Sequence, residues 1–226
     1  MTDLAQHSTA YEVVENEPPD VLARNLRVAA QLWASATVFF FFAFLFAYFY
    51  LRSLNNAGLW HPKGVHPAQT LGALVMAVAV ASAVLVRLGL VDHRAGRRPQ
   101  WRRKGGAALA LGVLALVLQV VEWATLGFGP TDGGYASVFY GWTAFQLLFS
   151  FGALWWLENV LATSIRYRGY PQRAPAPGHA SGDPDRTAHD IEDPVTLVRA
   201  GLEGVSFYWA FLAGLGVVAW VILYLA

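Results

Sequence analysis

Five long apolar stretches limit what this chain can fold into more than any other feature. They run over Val28–Leu51, Pro67–Val91, Gly105–Phe128, Ala136–Ile165 and Gly201–Ala226, and each is bounded by charges, Pro or Gly. The hydrocarbon core of a bilayer is about 30 Å thick, which about 20 helical residues cross. Every backbone polar group in hydrocarbon must be paired internally, so a spanning segment is a helix or a barrel strand. Barrel strands have about 9–11 residues of alternating polarity. These stretches are longer and continuously apolar. The sequence predicts an all-α integral membrane bundle of five transmembrane helices. Charged residues make up only 14% of the chain, where a soluble domain carries about 25%.

The basic residues set the expected orientation. With the N-terminus in the cytoplasm, the inner segments hold Arg24, Arg27, Arg94, Arg97, Arg98, Arg102, Arg103, Lys104, Arg166, Arg168, Arg173, Arg186 and Arg199. Arg87 adds to them near the inner end of the second span, and the outer segments hold only Arg52 and Lys63. Positive charge favours the cytoplasmic side, so the N-terminus is expected inside and the C-terminus outside. Residues 1–27 read as a polar, acidic cytoplasmic tail without the basic n-region of a cleavable signal peptide. Residues 28–166 hold the first four spans. Residues 167–199 are rich in Pro, Gly, Ser and Asp and read as a disordered cytoplasmic loop, in which Asp193 or Thr196 caps the start of the last helix. Residues 200–226 form the fifth span.

Function classes narrow next. With no cysteine and a net charge of +1, the chain holds no disulfide or thiolate metal site and is not a basic nucleic-acid binder. All six histidines (His7, His61, His66, His93, His179 and His189) are read in loops or tails, and Met76 is the only methionine in a span. Haem in a membrane bundle is held by His or Met on facing helices, so no catalytic residue and no cofactor is assigned to this chain. His61 and His66 are read as polar loop residues rather than as an external metal site.

Ionisable groups in spans are costly and are functional candidates by default. Arg87 lies near a helix end and reads as snorkelling, and Glu158 reads as a partner of Arg166. Glu203 falls in the first turn of the last helix, where a carboxylate suits the dipole. Glu122 sits about 9 Å inside the outer end of the third span. Gln119, three residues earlier, shares its face, and Gln146 of the fourth span is the expected partner. A helix–helix hydrogen bond and a part in ion transfer both remain open for this group. Rows of small residues (Ala73, Ala77, Ala81; Ala108 and Gly112; Ala210 and Gly214) suggest close helix approach. The aromatic run from Phe39 to Tyr50 is too dense for one face, so it is expected to face lipid or another subunit as well.

Several segments together resemble subunit III of the haem-copper oxidases, the cytochrome c and quinol oxidase family. Phe40–Phe41 through Ala47-Tyr48-Phe49-Tyr50 is similar to that family's aromatic run ending in Trp-Ala-Tyr-Phe-His. Gln119-Val120-Val121-Glu122-Trp123 resembles its Gln-x-x-Glu-Tyr/Trp signature. Gly134-Tyr135-Ala136-Ser137-Val138-Phe139-Tyr140 with Thr143-Ala144-Phe145 resembles Gly-x-Tyr-Gly-Ser-x-Phe-Phe…Thr-Gly-Phe. Glu203-Gly204-Val205-Ser206-Phe207-Tyr208-Trp209-Ala210-Phe211 resembles Glu-x-x-x-x-Tyr-Trp-His-Phe. The order agrees across Val28–Ala226, and five spans match the family's short form. The family's acidic residue in the first of these helices falls on Thr37, its paired histidines on Gln146 and Phe149, and the His and Asp of its last helix on Ala210 and Ala213.

The resemblance implies a non-catalytic subunit of a bacterial respiratory terminal oxidase in the plasma membrane. Haem and copper would lie in a partner subunit I, with subunit II nearby. Phospholipid would sit in a cleft, with the first two spans as one arm and the last three as the other. The basic segment Arg94, Arg97, Arg98, Arg102, Arg103 and Lys104 would contact lipid headgroups, where each cation contributes on the order of 1 kcal/mol. An accessory subunit of a nitric-oxide-reductase-type complex is the alternative, and a small ion transporter a more distant one.

Overall fold

The five apolar stretches are five helices in the structure, a computed structural model that describes residues 19–55, 58, 60, 61, 64–168 and 194–225. Helix α1 spans Pro19–Ser53, α2 Gln69–Arg94, α3 Arg98–Thr125, α4 Gly134–Arg166 and α5 Pro194–Trp220, the last continuing as a π-helical turn over Val221–Leu225. All five are long and apolar enough to cross a membrane, and no strand occurs among the described residues.

Several helices begin earlier than hydropathy indicates. α1 takes in the end of the polar tail, α3 starts in the basic segment, and α5 starts at Pro194, inside the stretch read as a loop. Proline in the first turn explains these starts, because a proline there has no N–H to lose and a φ already set for helix. Pro19 and Pro194 are first residues, and Pro99 is the second of α3. Thr196 is thus inside α5 rather than at its cap. Residues 1–18, 169–193 and 226, including Asp193, His7, His179 and His189, lie outside the described residues.

α5 is the centre of the bundle. It packs against α1, α2 and α4, while α3 packs against α2 and α4 on the far side. α1 packs chiefly on α5 and α4 rather than on α2. The expected division into a two-helix arm and a three-helix arm is therefore corrected. α2 belongs with α3, to which a tight turn ties it. That turn is a Schellman close: Gly96, at φ +74°, donates its N–H to the His93 carbonyl, and the Arg97 N–H reaches the Asp92 carbonyl. The opening lies instead between α1 and α2. There α5 shows an exposed stripe through Phe207, Ala210, Gly214, Val218 and Val221.

Small residues do bring helices together, but only one of the three expected rows is at an interface. Ala108 and Gly112 are buried, and a Cβ on Gly112 would stand 2.3 Å from Leu154 of α4. Ala77, Ala81, Ala210 and Gly214 are exposed. On α2 the packed row lies on nearly the opposite face, about two residues away, at Gly72, Val75, Ala79, Ala83, Val86 and Gly89–Leu90. A shift of two residues turns a helix face by about 200°, and spacing alone does not fix which face looks inward.

The aromatic run of α1 divides between two faces. Phe40, Phe41 and Phe44 meet Trp142, Phe145 and Phe149 of α4 at ring separations of 4.7–6.3 Å. Phe39, Phe42, Phe46, Phe49 and Tyr50 are exposed.

The two ends of the bundle differ. One is basic, with Arg27, Arg94 and Arg199 gathered around Glu203. The other is aromatic, where Tyr48, Trp60, Phe128, Tyr135 and Phe139 are buried together.

Candidate functional site

Glu122 is fully buried, near the aromatic end of the bundle. It lies one turn before the end of α3, closer to the helix end than the apolar boundary suggests. Its Oε2 accepts a hydrogen bond from Gln119 Nε2 at 2.8 Å, and its Oε1 accepts one from the Tyr224 hydroxyl at 2.7 Å. Gln119 is thus where helical spacing places it, on the same face three residues away.

Gln146 is not the partner. Its Nε2 donates to the Leu212 carbonyl of α5 at 3.0 Å. The reason is depth. Trp123, next to Glu122, donates its indole N–H to Thr143 at 3.1 Å, so Glu122 is level with Thr143. Gln146 is about one turn deeper, and its amide turns toward α5.

Tyr224 was not read from sequence as part of the site. The signal was depth: both Glu122 and Tyr224 lie close to helix ends on the same side of the bundle. Two further features hold the tyrosine there. Gly72 of α2 lets the ring come close, since a Cβ on that glycine would stand 2.3 Å from Tyr224 Cε1. The π-helical turn that carries Tyr224 is anchored through its carbonyls. Gln69 Nε2 donates to the Tyr224 carbonyl at 3.1 Å, and the Tyr135 hydroxyl donates to the Leu223 carbonyl. Residues of four helices thus gather around the Glu122–Tyr224 pair.

Glu203 gathers three arginines at the opposite end. Oε2 accepts from Arg27 of α1 at 2.6 Å, and Oε1 accepts from Arg94 of α2 at 2.9 Å and from Arg199 at 3.3 Å. The clasp therefore joins α1, α2 and α5 where the cleft between α1 and α2 ends. This corrects the helix-dipole reading: α5 begins at Pro194, so Glu203 stands more than two turns inside the helix, beyond the reach of the dipole's end, and arginines meet its charge instead. Glu158 is level with this clasp, because Gly201 of α5 meets Val160 and Gly204 meets Trp156. Glu158 is exposed and forms no ion pair with Arg166 among the described residues, which corrects that expectation.

The basic segment is partly tied up inside the protein. Arg97 Nη2 and Lys104 Nζ each lie 2.6 Å from Asp92, on separate carboxylate oxygens. Arg102 Nη2 donates to the Ser164 carbonyl at 2.7 Å, and Trp101 Nε1 donates to the Ser164 hydroxyl. Arg98 is half-buried at the start of α3, while Arg103 and Arg87 are exposed. The guanidinium of Arg94 retains about half its exposure.

His93 is a correction to the histidine reading. It lies in the last turn of α2 rather than in a loop, buried with its ring 6.4 Å from that of Trp101. His61 and His66 do lie in the loop before α2, with ring centroids 5.2 Å apart. Burial and the charge of His66 hold His61 below the usual imidazole range. No group of three His, Cys, Asp or Glu side chains suited to a metal occurs among the described residues.

Comparison with known proteins bears directly on this arrangement. The model of the family described as "Cytochrome c oxidase subunit III" matches residues 10–167. The chain is 30% identical over 132 residues to cytochrome c oxidase subunit 3 of Osphranter robustus, covering 56% of this chain and 50% of that protein. It is 30% identical over 132 residues to the same protein of Didelphis virginiana, covering 56% and 47%. Against Ornithorhynchus anatinus the figures are 30% over 132 residues, with 56% and 50% covered. The chain thus spans about half the length of the curated relatives it matches.

Proposed function

The chain belongs to the cytochrome c oxidase subunit III family, and we propose that it is a non-catalytic subunit of a bacterial respiratory terminal oxidase. In this reading it packs against the haem-copper subunit I, with subunit II nearby. The electron-transfer chemistry is the partner's. The family match over residues 10–167 carries the proposal. The arrangement of the chain supports it: Glu122 ties α3 to the end of α5, and Glu203 ties α1 and α2 to α5.

The cleft between α1 and α2 is the proposed lipid seat. Its floor is the small-residue stripe of α5 at Ala210 and Gly214, which leaves room for an acyl chain. Arg27 and Arg94 stand at its basic end, each about half exposed or more. Three guanidinium groups share one carboxylate there, so two positive charges remain for a headgroup phosphate. Arg103 and the exposed faces of Arg94 and Arg97 would meet anionic lipid on the cytoplasmic side of a bacterial plasma membrane. The N-terminus is then inside, as the basic residues indicate.

The test is purification of the tagged chain in a mild detergent, followed by an absorption spectrum and identification of partners. A haem spectrum together with a haem-copper subunit I is the expected result. A catalytic subunit of the nitric-oxide-reductase type would move the chain to that complex. A chain that purifies alone, or that binds haem without a partner, would refute the proposal.

A further inference from the structure

A cavity of about 60 Å³ runs inside the four-helix core formed by α2, α3, α4 and α5. On α5 its wall extends from Trp209 to Tyr224, about 22 Å by helical rise. Much of the wall is apolar, but three of its residues carry buried polar atoms with no hydrogen-bond partner among the described residues. These are Trp142 Nε1, Gln146 Oε1 and Trp220 Nε1. Trp142 is only 1% exposed. Two donors and one acceptor are thus left unpaired along this wall.

An unpaired buried polar group costs about 1–3 kcal/mol. A cavity that is both polar and roomy removes the cost by holding water. About 10–15 Å³ of such space accommodates one molecule, so the core has room for about four. An access route exists as well. Leu223 and Tyr224 line this cavity and also the larger open cavity at the aromatic end, beside Arg52, His61 and His66.

We propose that the four-helix core binds a short file of water, hydrogen-bonded to Trp142, Gln146 and Trp220 and supplied from the cavity at the aromatic end past Tyr224. The file reaches Gln119 and Tyr224, the two side chains that bond Glu122, so the buried carboxylate is linked to solvent through its own partners. Water accepts from the two indoles and donates to the Gln146 carbonyl oxygen, which matches all three groups.

Radiolytic labelling in ¹⁸O-water tests this on the full-length chain, in whatever complex it purifies with. Hydroxyl radicals formed from bound water oxidise neighbouring side chains. Met76 and Trp142 both line the cavity, and His66 at the open cavity is the solvent-exposed control. Leu148→Met places a thioether on the hydrocarbon face, where Leu148 is 58% exposed. The expected result is label on Met76, Trp142 and His66, and none on the new thioether. Label on His66 but not on Met76 or Trp142 would overturn the proposal. So would equal label on Met76 and on the Leu148→Met thioether, since the water would then come from the micelle. Ala115→Leu fills the wall of α3 and should abolish the Met76 label. Retention of that label in the folded variant would also overturn the proposal.

Discussion

The Glu122 cluster makes a quantitative prediction about what a buried carboxylate does for this fold. Glu122→Leu removes the acceptor for both Tyr224 and Gln119. Hydrogen bonds between membrane helices average about 0.6 kcal/mol and reach about 1.7, while stranding a buried polar group costs about 1–3. The Leu variant, which strands two groups, should therefore lose about 2–4 kcal/mol. Tyr224→Phe strands one carboxylate oxygen and should lose about 1–2. The double variant should lose less than the sum, by about 0.6–1.7 kcal/mol. Glu122→Gln separates hydrogen bonding from charge. The new amide presents its oxygen to Tyr224 and its NH₂ to Gln119, which must turn its own amide over to accept. Both contacts then survive, and the loss should be well under half that of Glu122→Leu. Unfolding in mixed detergent–SDS micelles, followed by circular dichroism, measures all four variants. Additive losses for Glu122→Leu and Tyr224→Phe would refute the coupling. A Gln variant as unstable as the Leu variant would show that ionisation, not hydrogen bonding, holds the helices.

Other contacts yield shorter tests. Gly72→Ala puts a methyl 2.3 Å from the Tyr224 ring and should cost about 1–3 kcal/mol by overpacking, read in the same unfolding assay and partly recovered in a Tyr224→Leu background. Glu203→Gln takes the anion away from Arg27, Arg94 and Arg199. These guanidinium groups are half exposed or more, so the expected loss is about 1 kcal/mol, and it should shrink at high salt because screening already weakens the wild-type clasp. His61 titrates below its ordinary value because burial and His66 disfavour its charge. The unfolded chain then takes up a proton before the folded one does. Its contribution to stability is complete above the ordinary imidazole value and is lost as the pH falls through the lower, folded value. The melting temperature should drop between pH 7 and pH 5, and His61→Asn should flatten that slope.

The membrane helices were legible because their cause is one-dimensional: hydrocarbon admits long apolar segments and little else. The Gln119–Glu122 pair was legible for a similar reason, since three residues along a helix share a face. What the sequence hid depends on rotation and depth between helices. The choice of Gln146 as partner failed because Trp123 and Thr143 set the level at which α3 meets α4. Tyr224 was hidden by a distance of 102 residues from its carboxylate. The packed row on α2 lay on nearly the opposite face from the expected one, and His93 was lost to a helix that ran longer than its apolar part. The grouping of the first two spans failed because the Gly96 turn commits α2 to α3.

The departures from the family pattern acquire a common physical meaning in this fold. Thr37 stands where the resemblance places an acidic residue. It is buried, donates to the Trp33 carbonyl at 2.8 Å and shares a 3.0 Å hydrogen bond with the Tyr208 hydroxyl, tying α1 to α5. Gln146 stands at a histidine position and ties α4 to α5. Ala213, at the acidic position of the last helix, is buried against the core. Each of the first two places keeps a tie between helices but makes it with a neutral group. An ionisable side chain in hydrocarbon costs a few kcal/mol on insertion scales, whereas a hydroxyl or amide bonded to a carbonyl is satisfied without a charge. Glu122 is the exception, and there the carboxylate finds two donors and lies within one turn of a helix end. A carboxylate restored at Thr37 would have neither advantage. Thr37→Glu should therefore destabilise the bundle more than Thr37→Val, which only removes the tie to Tyr208. A Thr37→Glu variant as stable as the parent chain would mean that this part of the core is wet, and that the charge was not displaced by solvation cost.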